Sequence, residues 1–239
     1  MLYVVWFVTV FAAYFVKGLA GFGNTPIHTG VMALMMNNAD LTPVDFVLTV
    51  PANVTLTLRY RRHLKTRLFL PAALISMAAM IPGAYLLKNT DSRSLKILFG
   101  FVIILLGADM LRRKTEGKAP PMWLYLILTA VSGLISGLFG IGVLMAATMG
   151  RVIRDPEALK ANLSAVFVAD NAMQAILYIM HGLLTWPVAM RAFTMYPAML
   201  LGLFAGIKCA GKLNERTVRF CAAVLLCVCG VFLIVGNIR

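Results

Sequence analysis

Asp170, Asn171, Gln174, Tyr178 and His181 are the residues of this 239-residue chain best able to do chemistry together. On a helix their spacing confines all five to an arc of about 100°. A carboxylate, two amides, a phenol and an imidazole on one face can hold a polar ligand or pass a proton. Their surroundings are apolar enough for lipid, where ionisable groups are costly, so the stripe must face a bundle interior or a cavity. A weaker version recurs as Asn53, Thr57, Tyr60 and His63. Asp170 aligns with Ala52 and has no twin. A lone carboxylate in a duplicated stripe is the candidate proton or cation site. The alternative is structural pairing with Arg191, Lys17 or a backbone N–H. Tyr178 and His181, near a segment end, read as interfacial anchors.

A second constellation is built from glycine. The stretches "GLAGFGNTP" (18–26) and "SGLISGLFGIGVLMAATMG" (132–150) place glycines where an apolar helix should continue. Non-helical backbone at membrane depth is tolerated only where protein buries it or where it lines a cavity. The expected arrangement is two helix breaks, at Gly21/Gly23 and Gly140/Gly142, each followed by a short helix whose N-terminus can face an anion. Pro26 suits the first turn of the first short helix, and Asn24 and Thr25 are capping or ligand-binding groups. In the second copy the short helix starts near Val143, leaving N–H groups of about 142–145 for the ligand. Gly133 and Gly137 can instead serve close helix packing. Lys17 is either the counter-charge for the anion or a snorkelling surface residue, and Arg191 snorkels or guards the outer entrance. His28 is a further ligand candidate. Asp45 and Asp109 lie near segment ends and read as structural.

The elements that must carry these residues follow from composition. The chain is 61% hydrophobic and 13% charged, with mean hydropathy +0.86, against roughly 45–50% and 25% in soluble domains. Charge-free runs at 18–39, 68–87, 119–150, 171–190 and 220–238 approach the ~20 residues of a spanning helix. This is an all-α polytopic membrane protein of about 8–10 helices, two of them short and broken or re-entrant. The first basic residue, Lys17, follows the N-terminal apolar run, so that run reads as a retained helix and not a signal peptide. The net charge of +13 reflects Lys and Arg marking cytoplasmic loops, not nucleic-acid binding. Cys209, Cys221, Cys227 and Cys229 have no metal-ligand companions in the sequence and read as small buried hydrophobes.

An internal repeat organises the chain. Gly21 and Gly23 recur as Gly140 and Gly142, Asn53, Tyr60 and His63 as Asn171, Tyr178 and His181, and Gly83, Arg93 and Gly107 as Gly206, Arg216 and Gly230. The expected division is a first repeat at 1–111, a cytoplasmic linker "RRKTEGKAPP" at 112–121 and a second repeat at 122–239. An odd number of crossings per half makes the repeat inverted. With Arg59–Arg67 inside, all but five of the 22 Lys and Arg (Lys88, Arg93, Lys96, Arg191 and Arg239) fall on the cytoplasmic side. Both termini then lie outside the cytoplasm.

The two-half organisation, with "GLAGFGNTPIHTGVMAL" in one half and "SGLISGLFGIGVLMAA" in the other, resembles the TauE/SafE family of sulfite exporters and sulfonate permeases over essentially the whole length. The resemblance implies a carrier of small sulfur-containing anions, such as sulfite, sulfoacetate or taurine-derived sulfonates, in the cytoplasmic membrane of a prokaryote. The resulting expectation is proton-coupled secondary transport by alternating access. Substrate would meet Lys17, Gly21, Gly23, Asn24, Thr25, His28, Asn53, Gly140, Gly142, Val143, Asn171, Gln174 and Arg191, with Asp170 carrying the proton. Partners are the anion, the bilayer, protons and a second copy of the chain; no cofactor is called for. A passive anion channel or a membrane subunit of a larger complex is the alternative. The chain has no HExxH, GxGD or GxxxxGK[ST] motif, so the expectation is not an enzyme.

Overall fold

The computed structural model describes residues 2–35, 38–112, 121–210, 212 and 215–238. Most of the expected linker lies outside these residues. Among them the chain forms ten α-helices: α1 Leu2–Ala20, α2 Asn24–Met32, α3 Asn38–Arg59, α4 Thr66–Asn89, α5 Ser92–Arg112, α6 Met122–Phe139, α7 Val143–Met149, α8 Pro156–Met180, α9 Trp186–Cys209 and α10 Glu215–Ile238. A single 3-10 turn, Arg61–His63, follows α3. Six helices (α1, α3, α4, α6, α8 and α9) contain stretches long and apolar enough to cross a membrane, and the chain is a multi-pass membrane protein.

The two short helices end earlier than the apolar pattern alone predicts, α2 at Met32 and α7 at Met149. At 1.5 Å per residue they reach only about 14 and 11 Å, well short of the ~30 Å hydrocarbon core. Neither can cross it alone. α2 turns back along α1: Lys17 near the end of α1 bonds Asn24 at the start of α2, and Trp6 near the beginning of α1 bonds His28 one turn further on. α3 reverses again, because Asp45 meets His28 while Thr49 meets Asn24.

The two breaks are made alike at their first glycine. Gly21 (φ +86°) donates its N–H to the Lys17 carbonyl at 2.7 Å, and Gly140 (φ +69°) does the same to Ser136 at 2.7 Å. This is the left-handed helix ending that glycine alone adopts without steric cost. The second glycines differ. Gly23 also has a positive φ (+95°), whereas Gly142 has φ −96°. A side chain at Gly142 would instead meet the Phe167 ring.

Helix pairing repeats between the halves. α1 packs on α9 and α6 on α4, while α3 packs on α8 and α5 on α10, so exchanging α1–α5 for α6–α10 returns the same pairs. The close contacts repeat in detail. Gly18 of α1 lies against Leu203 and Gly206 of α9; Gly137 of α6 lies against Met80 and Gly83 of α4, each residue at the sequence offset of the repeat. A Cβ at any of these glycines would run into facing backbone, the small-residue packing by which membrane helices approach closely. Gly133 likewise abuts the Ser76 backbone, so Gly133 and Gly137 serve packing.

Candidate functional site, a polar cavity between the two helix breaks

A cavity opens where the breaks meet α3 and α8. The space within its lining, open mouth included, is about 500 Å³. Lys17, Gly23, Asn24 and Thr25 line it from the first break, Asp45, Thr49 and Asn53 from α3, Gly140 and Gly142 from the second break, and Asp170, Asn171 and Gln174 from α8. Of the residues expected to bind substrate, the fold brings together Lys17, Gly23, Asn24, Thr25, Asn53, Gly140, Gly142, Asn171 and Gln174, with Asp170 beside them. Gly21 sits behind the break against Lys160. Val143 is buried as the first residue of α7, behind Gly142, which supplies no side-chain cap. Arg191 is exposed on α9 and stands apart from the cavity.

Lys17 does not snorkel. Its side chain is 1% exposed, its Nζ donates to Asn24 Oδ1 at 2.9 Å, and it sits 5.7 Å from the Phe167 ring centroid. Asn24 Nδ2 donates to Thr25 Oγ1 and Thr49 Oγ1 at 3.2 and 2.8 Å. Thr25 then donates to Asp45 Oδ2 at 2.6 Å. A buried ammonium and a buried carboxylate are thus joined through an amide and a hydroxyl, which lets both charges stay below the lipid surface. Asp45 was expected to be a structural residue near a segment end. It is 3% exposed on the second turn of α3 and lines the cavity. Sequence reading missed it because helix α3 begins at Asn38, before the apolar pattern does.

Asp170 faces the same space with a different partner set. Ser76 Oγ donates to Oδ2 at 3.0 Å, and Oδ1 has no hydrogen-bond partner. Of the alternative structural partners, Arg191, Lys17 or a backbone N–H, none is the one found: Ser76, supplied by α4, takes that place. Asn53 leaves both Oδ1 and Nδ2 unpartnered, and Asn171 leaves Nδ2 unpartnered. Buried polar atoms are nearly always satisfied, so these four are hydrogen-bonding positions open to a ligand or to water. The unpartnered buried hydroxyls, those of Thr57, Thr129 and Ser164, lie outside the lining; among the described residues, the buried unpartnered amide and carboxylate atoms belong to residues within it.

His28 is fully buried, with Nε2 accepting from Trp6 Nε1 at 2.8 Å and Nδ1 bonded to Asp45 Oδ1 at 2.8 Å. Both ring nitrogens are therefore taken by protein. Tyr178 corrects the expectation of an interfacial anchor: it is 0% exposed, its hydroxyl accepts from Gln174 Nε2 at 2.7 Å, and its ring meets Phe46 edge-on. The amphipathic ring is consumed as core because α3 covers that end of α8. His181 is half-buried at the end of α8. Cys209, Cys227 and Cys229 are free thiols, Cys229 buried; the side chain of Cys221 lies outside the described residues.

The halves furnish the cavity unequally. At the repeat offsets, Lys17, Asn24, Thr25 and Asp45 correspond to Ser136, Val143, Leu144 and Leu163, while Asp170 corresponds to Ala52. Backbone shape is duplicated and charge is not. Multiple membrane helices, two broken helices and one buried cavity rich in unpartnered hydrogen-bonding atoms define a membrane transporter for a small polar solute. Residues 6–233 match the family model for sulfite exporter TauE/SafE, and the chain belongs to that family of membrane transporters. No curated protein and no solved structure matches it.

Proposed function

We propose that the chain moves a small sulfur-containing anion, sulfite or a sulfonate such as sulfoacetate or a taurine derivative, across the cytoplasmic membrane of a prokaryote, coupled to a proton. The carrying observation is the set of unpartnered atoms on Asn53, Asn171 and Asp170 sharing one cavity with Lys17. An oxyanion offers acceptors only. Lys17 Nζ, Asn53 Nδ2 and Asn171 Nδ2 offer donors to it. Gly23 supplies no side chain at the cap of α2, so the first-turn N–H groups there add to the donor set.

Asp170 sets the coupling in this reading. An ionised carboxylate would repel the anion. Ser76 already donates to Oδ2, which leaves Oδ1 as the oxygen to carry a proton, and a protonated Oδ1 is one more donor aimed at the guest. Anion and proton then bind together and leave together. The repeated pairing α1 with α9 and α6 with α4 supports two bundles that rock about the cavity, the alternating access of inverted repeats. Both termini lie outside the cytoplasm in this arrangement, with the 59–67 basic loop inside.

Purified protein in proteoliposomes tests the reading with labelled sulfite, taurine and sulfoacetate under imposed pH gradients. Expected is uptake of at least one of them that a pH gradient drives and that Asp170→Asn uncouples. No transport of any, and no protection against thermal unfolding, would overturn the substrate class. Conductance insensitive to Asp170→Asn would make the protein a passive channel.

A further inference from the structure

We infer that His28 is a proton-binding site whose occupancy is controlled by Trp6. His28 stands one turn into α2, fully buried. The indole N–H of Trp6 is a donor and cannot accept, so His28 Nε2, which receives it at 2.8 Å, must present a lone pair. The ring proton then resides on Nδ1, which donates to Asp45 Oδ1 at 2.8 Å. With Trp6 in place, Nε2 has no room for a second proton, because two N–H groups would face one another. The rings lie parallel, 6.5 Å apart with 4° between planes, which fixes the indole on that nitrogen.

The groups around His28 favour proton uptake once Trp6 withdraws. From α3, Asp45 faces it directly. From α1, Lys17 is tied to Asn24 and Tyr14 to Thr49, with two residues of relay between Lys17 and Asp45. α5 and α10 also pack on α2; they contribute Phe99, Ile103, Leu233 and the thiol of Cys229 to the shared core. A free Nε2 beside the Asp45 carboxylate takes one proton from solvent and forms an imidazolium–carboxylate pair. No other bond changes.

The bond to Trp6 is also where motion would break it. Trp6 belongs to α1, which is tied to α9 through Gly18, Gly202 and Gly206. His28 and Asp45 belong to α2 and α3, and α3 packs on α8. α1 also packs on α2, so a slide of α1 with α9 that removes the indole from Nε2 breaks the Lys17–Asn24 bond as well. The two conformations then differ by one bound proton, and acid favours the one in which α1 has moved. This proton is separate from that of Asp170.

The test is the protonation of His28 in the full chain, labelled with ¹⁵N-histidine in lipid nanodiscs, the three histidines being told apart with His63→Gln and His181→Gln. With Trp6 present, His28 should show the neutral Nδ1–H tautomer at neutral pH. In Trp6→Phe, which keeps a ring but loses the donor, Nε2 should gain one proton at a pH where the wild type carries none. If the variant does not fold, replacing tryptophan by benzothienylalanine keeps the ring shape without the N–H and should give the same uptake. A wild-type His28 that carries its proton on Nε2, or one that titrates at the same pH as in Trp6→Phe, would overturn the inference. So would a donor-free protein whose His28 stays neutral. None of these readouts needs a transported anion, so they fail or succeed apart from the sulfur-anion reading.

Discussion

Asn53 of α3 and Asn171 of α8 face one cavity from opposite halves of the chain, and each leaves amide atoms that no protein group meets. They are matching positions in the repeat pattern read from the sequence. An amide costs several hydrogen bonds to bury, and two such residues kept unpaired at equivalent positions are donors held ready for a ligand.

Replacing either asparagine with alanine should weaken anion binding about 10-fold, the worth of one hydrogen bond to a charged group. Lys17→Met should weaken it about 100-fold, because it removes the only cation among the described lining residues. Binding is read as ligand-dependent thermal shift in detergent. Equal protection in all three variants would remove the guest from this cavity.

The two glycines of the second break should respond differently to alanine. Gly140 has φ +69° with nothing closer than 3.6 Å to an added Cβ, so Gly140→Ala strains backbone and should cost about 1–2 kcal/mol of stability. Gly142 has an ordinary φ, and its Cβ would displace the Phe167 ring, which lines the cavity. Gly142→Ala should therefore alter ligand binding more than it alters unfolding temperature.

Gly18→Ala and Gly137→Ala should each destabilise the fold by about 1–3 kcal/mol, as overpacking does. In both cases the obstacle is the facing backbone, at Leu203 and at Met80, which cannot turn aside as a side chain can. Similar losses in thermal unfolding for the two are expected from the repeated contact; a large difference would show that the two interfaces are not energetically equivalent.

Asp91 supplies a pH dependence at the surface. Its Oδ2 accepts the Ser94 N–H at 2.8 Å at the start of α5, and these hydrogen bonds from Ser94 hold its carboxyl below the usual carboxylate range. A depressed value means the cap is present at neutral pH and is lost as pH falls below the ordinary carboxylate value of about 3.9. Amide exchange at Ser94 should rise on acidification, and Asp91→Asn should flatten that rise.

Much of the plan was legible in the residues. Apolar composition and charge-free runs marked an all-helical membrane protein, and paired glycines located both breaks, since glycine at depth has few other reasons to be there. The stripe from Asp170 to Gln174 pointed inward because lipid will not accept it. These readings depend on local periodicity and on the cost of burying polar groups, which a sequence displays directly.

What the sequence could not show was which polar groups spend themselves on one another. Asp45 and His28 meet across two helices, and the Trp6 indole caps the imidazole from a third, so three residues spread over 40 positions become one unit only when α2 folds back along α1. Asp170 found Ser76 on α4 instead of a lysine or arginine, and Tyr178 packs on Phe46 where an interfacial anchor was expected. The sequence by itself determined an all-helical multi-pass membrane protein with two glycine breaks, because spacing and hydropathy act along the chain. Only the tertiary structure decided which amide and carboxylate atoms remain unpaired in the cavity, because hydrogen bonds are short and directional and their partners are chosen by packing.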